Sequence, residues 1–151
     1  MGDQTSTVGS ASGQEYAGDV DCTEAWDILN RDAAAVLVDV RTVPEWEFVG
    51  IPDLGPIGKQ ALLVQWQIYR APAPNPEFLT ELEASNIAKD ATVLFLCRSG
   101  ARSTSAAIAA TTAGYRTCYN IAGGFEGPPD GEGHRGLING WKARGLPWEQ
   151  R

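Results

Sequence analysis

The segment Cys97-Arg98-Ser99-Gly100-Ala101-Arg102, followed by Ser103, sets a single thiol just ahead of two guanidinium groups in a short polar stretch. Thiols act as nucleophiles in their ionised form, and adjacent cations together with a helix N-terminus favour that anion. Gly100 admits backbone angles that other residues resist. The amide N–H groups from Arg98 to Ser103 are therefore placed to converge on one point as an anion cradle, reinforced by the dipole of a helix opening at Ser103. Residues 91–125 contain no Asp or Glu but do contain Arg98, Arg102 and Arg116, in a chain of net charge −7. An electropositive pocket of this kind recruits anionic ligands. The chemistry indicated is nucleophilic attack by a thiolate on a small anion. A lone cysteine after an apolar run is most simply a small buried hydrophobe; the flanking arginines, the glycine and the setting argue for a reactive role at Cys97. Cys22, beside Asp21 and Glu24, and Cys118, in an apolar run, lack that setting and are expected to be packing residues.

Such a loop needs a strand to deliver the cysteine and a helix to receive it. Thr92 to Leu96 is a continuous apolar run, as in a strand buried on both faces of a parallel sheet, and Ser103 to Ala113 is an alanine-rich helix ended by Gly114. Val36 to Val40, Ala61 to Val64 and Thr117 to Ile121 read as further strands. Asp21 to Glu24 reads as a capping box that opens a helix reaching Asn30, with Ala25, Ile28 and Leu29 inward. Short helices are expected over Thr42 to Phe48, Glu77 to Ser85 (with Phe78, Leu79 and Leu82 on one side) and Trp141 to Arg144. Gly50 to Gly58 and residues 125–140 read as glycine-rich loops. Alternating strands and helices predict an α/β domain with a mainly parallel sheet, whose ligands bind beyond the carboxyl ends of the strands, where Cys97 lies.

Composition excludes several alternatives. The 151 residues, 43% hydrophobic and 21% charged, fit one globular domain. The acidic balance opposes a nucleic-acid partner and a polybasic membrane anchor, and no apolar run approaches the ~20 residues of a spanning helix. Three Cys and one His fit neither a disulfide framework nor a structural zinc site. These features predict a cytoplasmic protein with no bound metal. Residues 1–15 read as a disordered tail ahead of a domain over 16–151. Met1-Gly2 with Ser6 matches a loose myristoylation pattern, against which a plain tail is preferred.

Four blocks together resemble the rhodanese homology domain: DVRTVPEW at Asp39 to Trp46, LFLCRSGARS at Leu94 to Ser103, YNIAGGFEG at Tyr119 to Gly127, and WKARGLPW at Trp141 to Trp148. The resemblance implies a three-layer α/β/α fold with a five-stranded parallel sheet, and a persulfide-forming cysteine matching Cys97. It implies no cofactor. In that family sulfurtransferases carry a six-residue loop, whereas related phosphatases and arsenate reductases carry one residue more. Four residues separate Cys97 from Arg102 here, so the resemblance implies a sulfurtransferase that moves sulfane sulfur from thiosulfate or a similar anion to cyanide or a thiol. A persulfide carrier serving a protein acceptor and, less favoured, a small phosphatase or arsenate reductase are the alternatives. Catalysis falls to Cys97. Substrate binding falls to Arg98, Ser99, Gly100, Ala101, Arg102 and Ser103, with Arg41 a candidate at the pocket rim.

For Arg41 the competing reading is an i,i+4 pair with Glu45 that steadies the corner. Asp39 is expected to anchor local backbone. The chain departs from the family where Val49 to Leu54 lacks the usual histidine, in a lengthened stretch from Pro52 to Lys59, and in an expanded link from Glu126 to Gly140 that carries His134. Both insertions are expected at the sheet's carboxyl edge, as a lid or an acceptor-docking surface. His134 is expected to be a solvated loop residue. Trp46, Trp66, Trp141 and Trp148 are expected mainly in the core or anchoring loops, with one of them at the pocket.

Overall fold

A computed structural model describes residues 15–68 and 73–150. The expected tail lies outside the described residues apart from Glu15. Five strands form one parallel sheet: β1 (Gly18–Val20), β2 (Val36–Asp39), β4 (Leu62–Leu63), β5 (Thr92–Leu96) and β6 (Thr117–Ile121). Their order is β1-β6-β5-β2-β4. A separate two-stranded antiparallel ribbon joins β3 (Ile51–Pro52) to β7 (Trp148–Glu149). The helices are α1 (Cys22–Arg31), α2 (Val43–Phe48), α3 (Phe78–Ala84) and α4 (Ala101–Thr112).

The apolar runs explain the layering. Successive strand residues point to opposite faces, so β5 divides its side chains between two cores. Val93 and Phe95 pack on the face covered by Phe78 and Leu82 of α3 and by Ala106, Ala107 and Ala110 of α4. Leu94 and Leu96 pack on the other face with Ala25, Ile28 and Leu29 of α1, Phe125 and Trp141. Both faces are covered, which is why β5 has no polar alternation. Cys97 continues the Val93–Phe95 row, so it leaves the strand pointing toward α4. The alanines of α4 let that helix lie close to the sheet beneath the cysteine loop.

Asp21 caps α1, its carboxylate accepting from Glu24 N at 2.8 Å. Several elements differ from expectation. Helix α4 begins at Ala101, with Gly100 as its N-cap at φ 124°, and so takes Arg102 into its first turn. Residues 141–145 are turns, because the stretch between Gly140 and Gly145 is too short to repay helix nucleation. Leu79 is 38% exposed, while Phe78 and Leu82 carry the buried side of α3. The Pro52–Lys59 stretch does not stay at the carboxyl edge. It runs down the sheet, buries Leu54, and ends with Lys59 Nζ donating to Asp32 O and Ala35 O, at the amino end of β2. Among the described residues no helix is long and apolar enough to cross a membrane.

Candidate active site

Three segments meet at the carboxyl end of β5: the cysteine loop, α2, and the link that follows β6. Cys97 is 1% exposed. Its Sγ lies 3.1 Å from Gly100 N, which donates to it, and 3.1 Å from Ser103 Oγ. Of the loop amides expected to converge, that of Gly100 is the one that reaches the sulfur, and the positive φ at Gly100 turns it inward. Arg98 and Ser99 are exposed, as is Ala101, whereas Ser103 is fully buried.

Behind Ser103 runs a polar chain that the sequence reading missed. Ser103 Oγ donates to Asn120 Oδ1 at 2.6 Å, Asn120 Nδ2 donates to Asp19 Oδ1 at 3.0 Å, and Tyr16 OH donates to the same oxygen at 2.9 Å. The carboxylate oxygen fixes the amide orientation, and the amide fixes the hydroxyl. Asn120 Oδ1 carries no hydrogen, so the serine proton lies on its side. Ser103 Oγ is thereby left to accept from the Cys97 thiol, and its hydroxyl turns to donate once the sulfur is anionic. The signal for Asn120 was a polar residue inside the apolar run TCYNI, which needs a buried partner.

The loop rests on the residues after β6. Phe125 N donates to Cys97 O at 2.8 Å, and Glu126 N and Gly127 N both donate to Arg98 O at 3.0 Å. Gly124, at φ +67°, passes so close that an added Cβ would sit 2.4 Å from Arg98 O and 2.6 Å from Cys97 O. Gly124→Ala is therefore expected to displace the loop backbone and to cost about 1–3 kcal/mol by overpacking. A drop in thermal midpoint accompanied by lower Cys97 reactivity checks this; a variant matching wild type in both would refute it.

Arg102 does not stand free at the mouth. Its Nη1 and Nη2 donate to Glu45 Oε1 and Oε2 at 2.7 and 3.0 Å. Glu45 Oε1 also accepts from Thr42 N at 3.1 Å and Thr42 Oγ1 at 3.0 Å. The carboxylate thus caps α2 and clamps the cysteine loop together. Although burial opposes its charge, the Arg102 guanidinium and the Thr42 donors hold the Glu45 carboxyl at about 2, below the ordinary 4.5. A depressed folded pKa gives stability that is present above the unfolded value and lost as pH falls through the folded one. The stability difference between wild type and Glu45→Gln is expected to be constant above about pH 5 and to vanish between about 4.5 and 2, as read by urea denaturation at stepped pH. A difference that does not change across that range would refute the clamp.

The Arg41–Glu45 pair is thus not formed. Arg41 is 0% exposed, so the expected place at the pocket rim is corrected as well. Its Nε and Nη2 bond Asp39, Nη2 also donates to Gly50 O at 2.7 Å, and the guanidinium lies 4.2 Å from the Phe125 ring centroid. A strand-end aspartate two residues before an arginine brings the charges together without leaving the corner, and Glu45 turns instead toward α4. Asp39 also accepts from Arg41 N at 3.1 Å, which is the backbone anchoring expected of it.

Cys22 is buried, with Sγ 3.4 Å from Gly124 O, and burial pushes its thiol up to about 12. Burial also raises Cys118, and all three cysteines are free. His134 is exposed. Its ring, Asp130 and Glu132 offer ligand atoms within 4.8 Å of one another. Asp130 Oδ1, however, already accepts from the backbone N of Glu132 and of His134.

A pocket of about 630 Å³ opens beside the loop, walled by Arg98, Arg102, Glu45, Glu126 and Arg135 among others. The Glu126–Gly140 link therefore does reach the site. Among the described residues no tryptophan lines this pocket. Trp141 is fully buried, Trp66 stacks edge-on to Phe78, and Trp148 does so to Phe125.

Over residues 17–151 the chain matches the family described as the STR4 middle domain. It is 42% identical over 128 residues to the uncharacterized RP600 homolog of Rickettsia rickettsii, covering 84% of this chain and 93% of that one. The crystal structure of Rv0390 from M. tuberculosis is 48% identical, with a TM-score of 0.83, over 90% of this chain and 99% of that one. The polysulfide-sulfur transferase homodimer of Wolinella succinogenes shares the fold at 20% identity and a TM-score of 0.62, over 91% of this chain and 80% of that one.

Proposed function

The chain belongs to the STR4 middle-domain family, and from that premise we propose that it is a sulfurtransferase working through a Cys97 persulfide. The observation that carries the reading is the pair of donors, Gly100 N and Ser103 Oγ, each 3.1 Å from Sγ at the end of a buried strand. Gly100 N already donates to the sulfur, and the Ser103 hydroxyl turns to donate once the sulfur is anionic, so both can hold negative charge on the attacking thiolate and on the persulfide that follows. The rhodanese-like fold shared with a polysulfide-sulfur transferase supports the same reading.

In the first half-reaction the Cys97 thiolate attacks the outer sulfur of thiosulfate or a similar donor. A new S–S bond forms to Sγ, the donor's own S–S bond breaks, and sulfite leaves with the bonding pair. The terminal sulfur is held as a persulfide anion. In the second half, cyanide or a thiolate attacks that sulfur, Cys97 leaves as thiolate, and thiocyanate or an acceptor persulfide departs. This is covalent double displacement. Arg98, exposed at the mouth, supplies positive charge to the donor's oxygens. A cytoplasmic setting, which keeps thiols reduced, suits this chemistry.

The test is intact-mass measurement after exposure to thiosulfate or polysulfide. One sulfur atom should be gained on Cys97, then lost on adding cyanide with release of thiocyanate. No gain from either donor would overturn the proposal.

A further inference from the structure

Ser103 Oγ has one proton and three acceptors within reach: Asn120 Oδ1 at 2.6 Å, Cys97 Sγ at 3.1 Å and Gly100 O at 3.2 Å. Gly100 O already accepts from Thr104 Oγ1 at 2.7 Å and Thr104 N at 3.1 Å. The choice is therefore between the amide and the sulfur. While Cys97 is a thiol, both bonds are made, because its own proton goes to Ser103 Oγ and the serine proton goes to Asn120. Once the sulfur is a thiolate, they conflict. The serine that turns to the sulfur strips its donor from Asn120 Oδ1, in a side chain only 4% exposed. A buried acceptor left unpaired carries its full desolvation penalty.

The amide could escape this conflict by turning over, so that Nδ2 faced Ser103 and the serine proton were free for the sulfur. Asp19 prevents it. Parallel pairing of β1 with β6 sets Asp19 beside Asn120. Asp19 Oδ1 accepts from Nδ2 at 3.0 Å, and a carboxylate has no proton to offer an amide oxygen in exchange. Asp19 is exposed, whereas Ser103 is fully buried. A surface charge thus fixes the direction of a hydrogen-bond chain that ends on the reactive atom.

We infer that Asn120 is a positioning residue that holds the Ser103 proton away from Cys97 and so limits how readily the thiol gives up its own, with Asp19 as the lock on its amide. The consequence for turnover rests on the sulfur-transfer reading, but the test needs no sulfur donor. The other charged groups around the sulfur are Arg98 and Arg102, Glu45 of α2 paired to Arg102, and the buried Asp39–Arg41 pair. All of them stay the same in the variants below.

The experiment follows the pH profile of Cys97 alkylation by iodoacetamide on the full chain, assigned by peptide mass, at high salt. In Asn120→Leu the serine proton passes to the thiolate, and a hydrogen bond to a charged group is worth roughly a factor of ten. The profile should therefore move by about one unit to lower pH. A thiolate held more tightly is also a weaker nucleophile, which returns about half of that gain. The rate is expected to rise roughly threefold on the acid limb and to fall roughly threefold on the alkaline plateau. A loop that is merely loosened or misplaced would move both limbs the same way. In a Ser103→Ala background the added Asn120→Leu should move the profile no further, since the serine is the link between amide and sulfur. Asp19→Ala frees the amide from an exposed position, and should shift the profile in the same direction if Asn120→Leu fails to fold. High salt screens the through-space charge that this variant removes. No shift, a shift to higher pH, limbs that rise or fall together, or a shift that survives in the Ser103→Ala background would overturn the inference and leave sulfur transfer standing. A wild-type Cys97 that takes no label at any pH would overturn it as well. Failure of Cys97 to gain sulfur from any donor would overturn the sulfur-transfer reading, with the alkylation profiles judged on their own.

Discussion

Cys97→Ala is expected to lose sulfur transfer by a factor on the order of 10⁴–10⁶, the scale on which removal of a covalent nucleophile acts. Nothing else at the site can take over. Cys22, though its sulfur contacts Gly124 O, is held protonated up to about 12 by burial, and Cys118 is buried in the sheet core. The fold should persist, since Sγ is one small group at the end of a core row. The measurement is thiocyanate release under saturating thiosulfate and cyanide, together with a thermal melt. Cys97→Ser serves as the companion variant, because its hydroxyl keeps the contacts to Gly100 and Ser103 while lacking the polarisable sulfur. Activity retained within tenfold in either variant would place the chemistry elsewhere.

The largest loss of stability is expected from Asp39→Ala. Asp39 and Arg41 are both 0% exposed and joined by an ion pair of 2.7 Å. Removing the carboxylate leaves a buried guanidinium with Gly50 O and the Phe125 ring as its remaining partners. One nitrogen, Nη1, already has no hydrogen-bond partner among the described residues. Breaking a buried pair in this way costs about 3–5 kcal/mol, whereas replacing both members by apolar residues of similar volume is near neutral. Asp39→Leu combined with Arg41→Met should therefore recover most of the loss. Urea denaturation reads both, with an unchanged slope if the unfolded state is unaffected. The double variant also separates two roles for Arg41: with the fold restored, persulfide loading should be normal if the guanidinium acts only inside the fold. A loss below about 1 kcal/mol in the single variant would mean that Arg41 escapes to water.

What the sequence made legible depended on whether the signal was local. Thr92 to Leu96 and Thr117 to Ile121 are long apolar runs, and both are strands with the expected limits. Asp21 opens α1 as its N-cap, as expected, through the Glu24 N bond alone. The parallel sheet followed from the alternation of such runs with helices. The elements that were missed are short and held by distant partners. β1 has three residues, and β3 and β7 have two each, with Pro52 removing a donor from the ribbon. Such strands exist because something across the chain pairs with them, and no window of sequence contains that partner. The same division runs through the site. The cysteine, glycine and arginines of the loop were visible as a contiguous motif. The Ser103–Asn120–Asp19 chain spans three elements and was not. A pair between Arg41 and Glu45, four apart, was one of two readings and a place for Arg41 at the pocket rim the other, yet Arg41 turns back to Asp39 and Glu45 reaches across to Arg102. The Thr42-x-x-Glu45 spacing would have placed Glu45 at a helix start, but not against α4.

The link after β6 leaves the site at Gly127 and returns at Gly140, and these two glycines touch: a Cβ on Gly140 would lie 2.8 Å from Gly127 N. Backbone bonds close the neck, with Gly136 N donating to Glu126 O and Trp141 N to Gly124 O. A segment whose ends already meet is a detachable Ω-loop. Its length enters the folding free energy only through the logarithm of loop size, about 0.6 kcal/mol per doubling. Evolution can lengthen, trim or exchange it without moving a strand. Because Arg135 rides on that loop while Cys97 sits at the end of a sheet strand, the cysteine loop and one wall of the neighbouring cavity are structurally separable parts, and the wall can change while the sheet that carries the cysteine stays fixed.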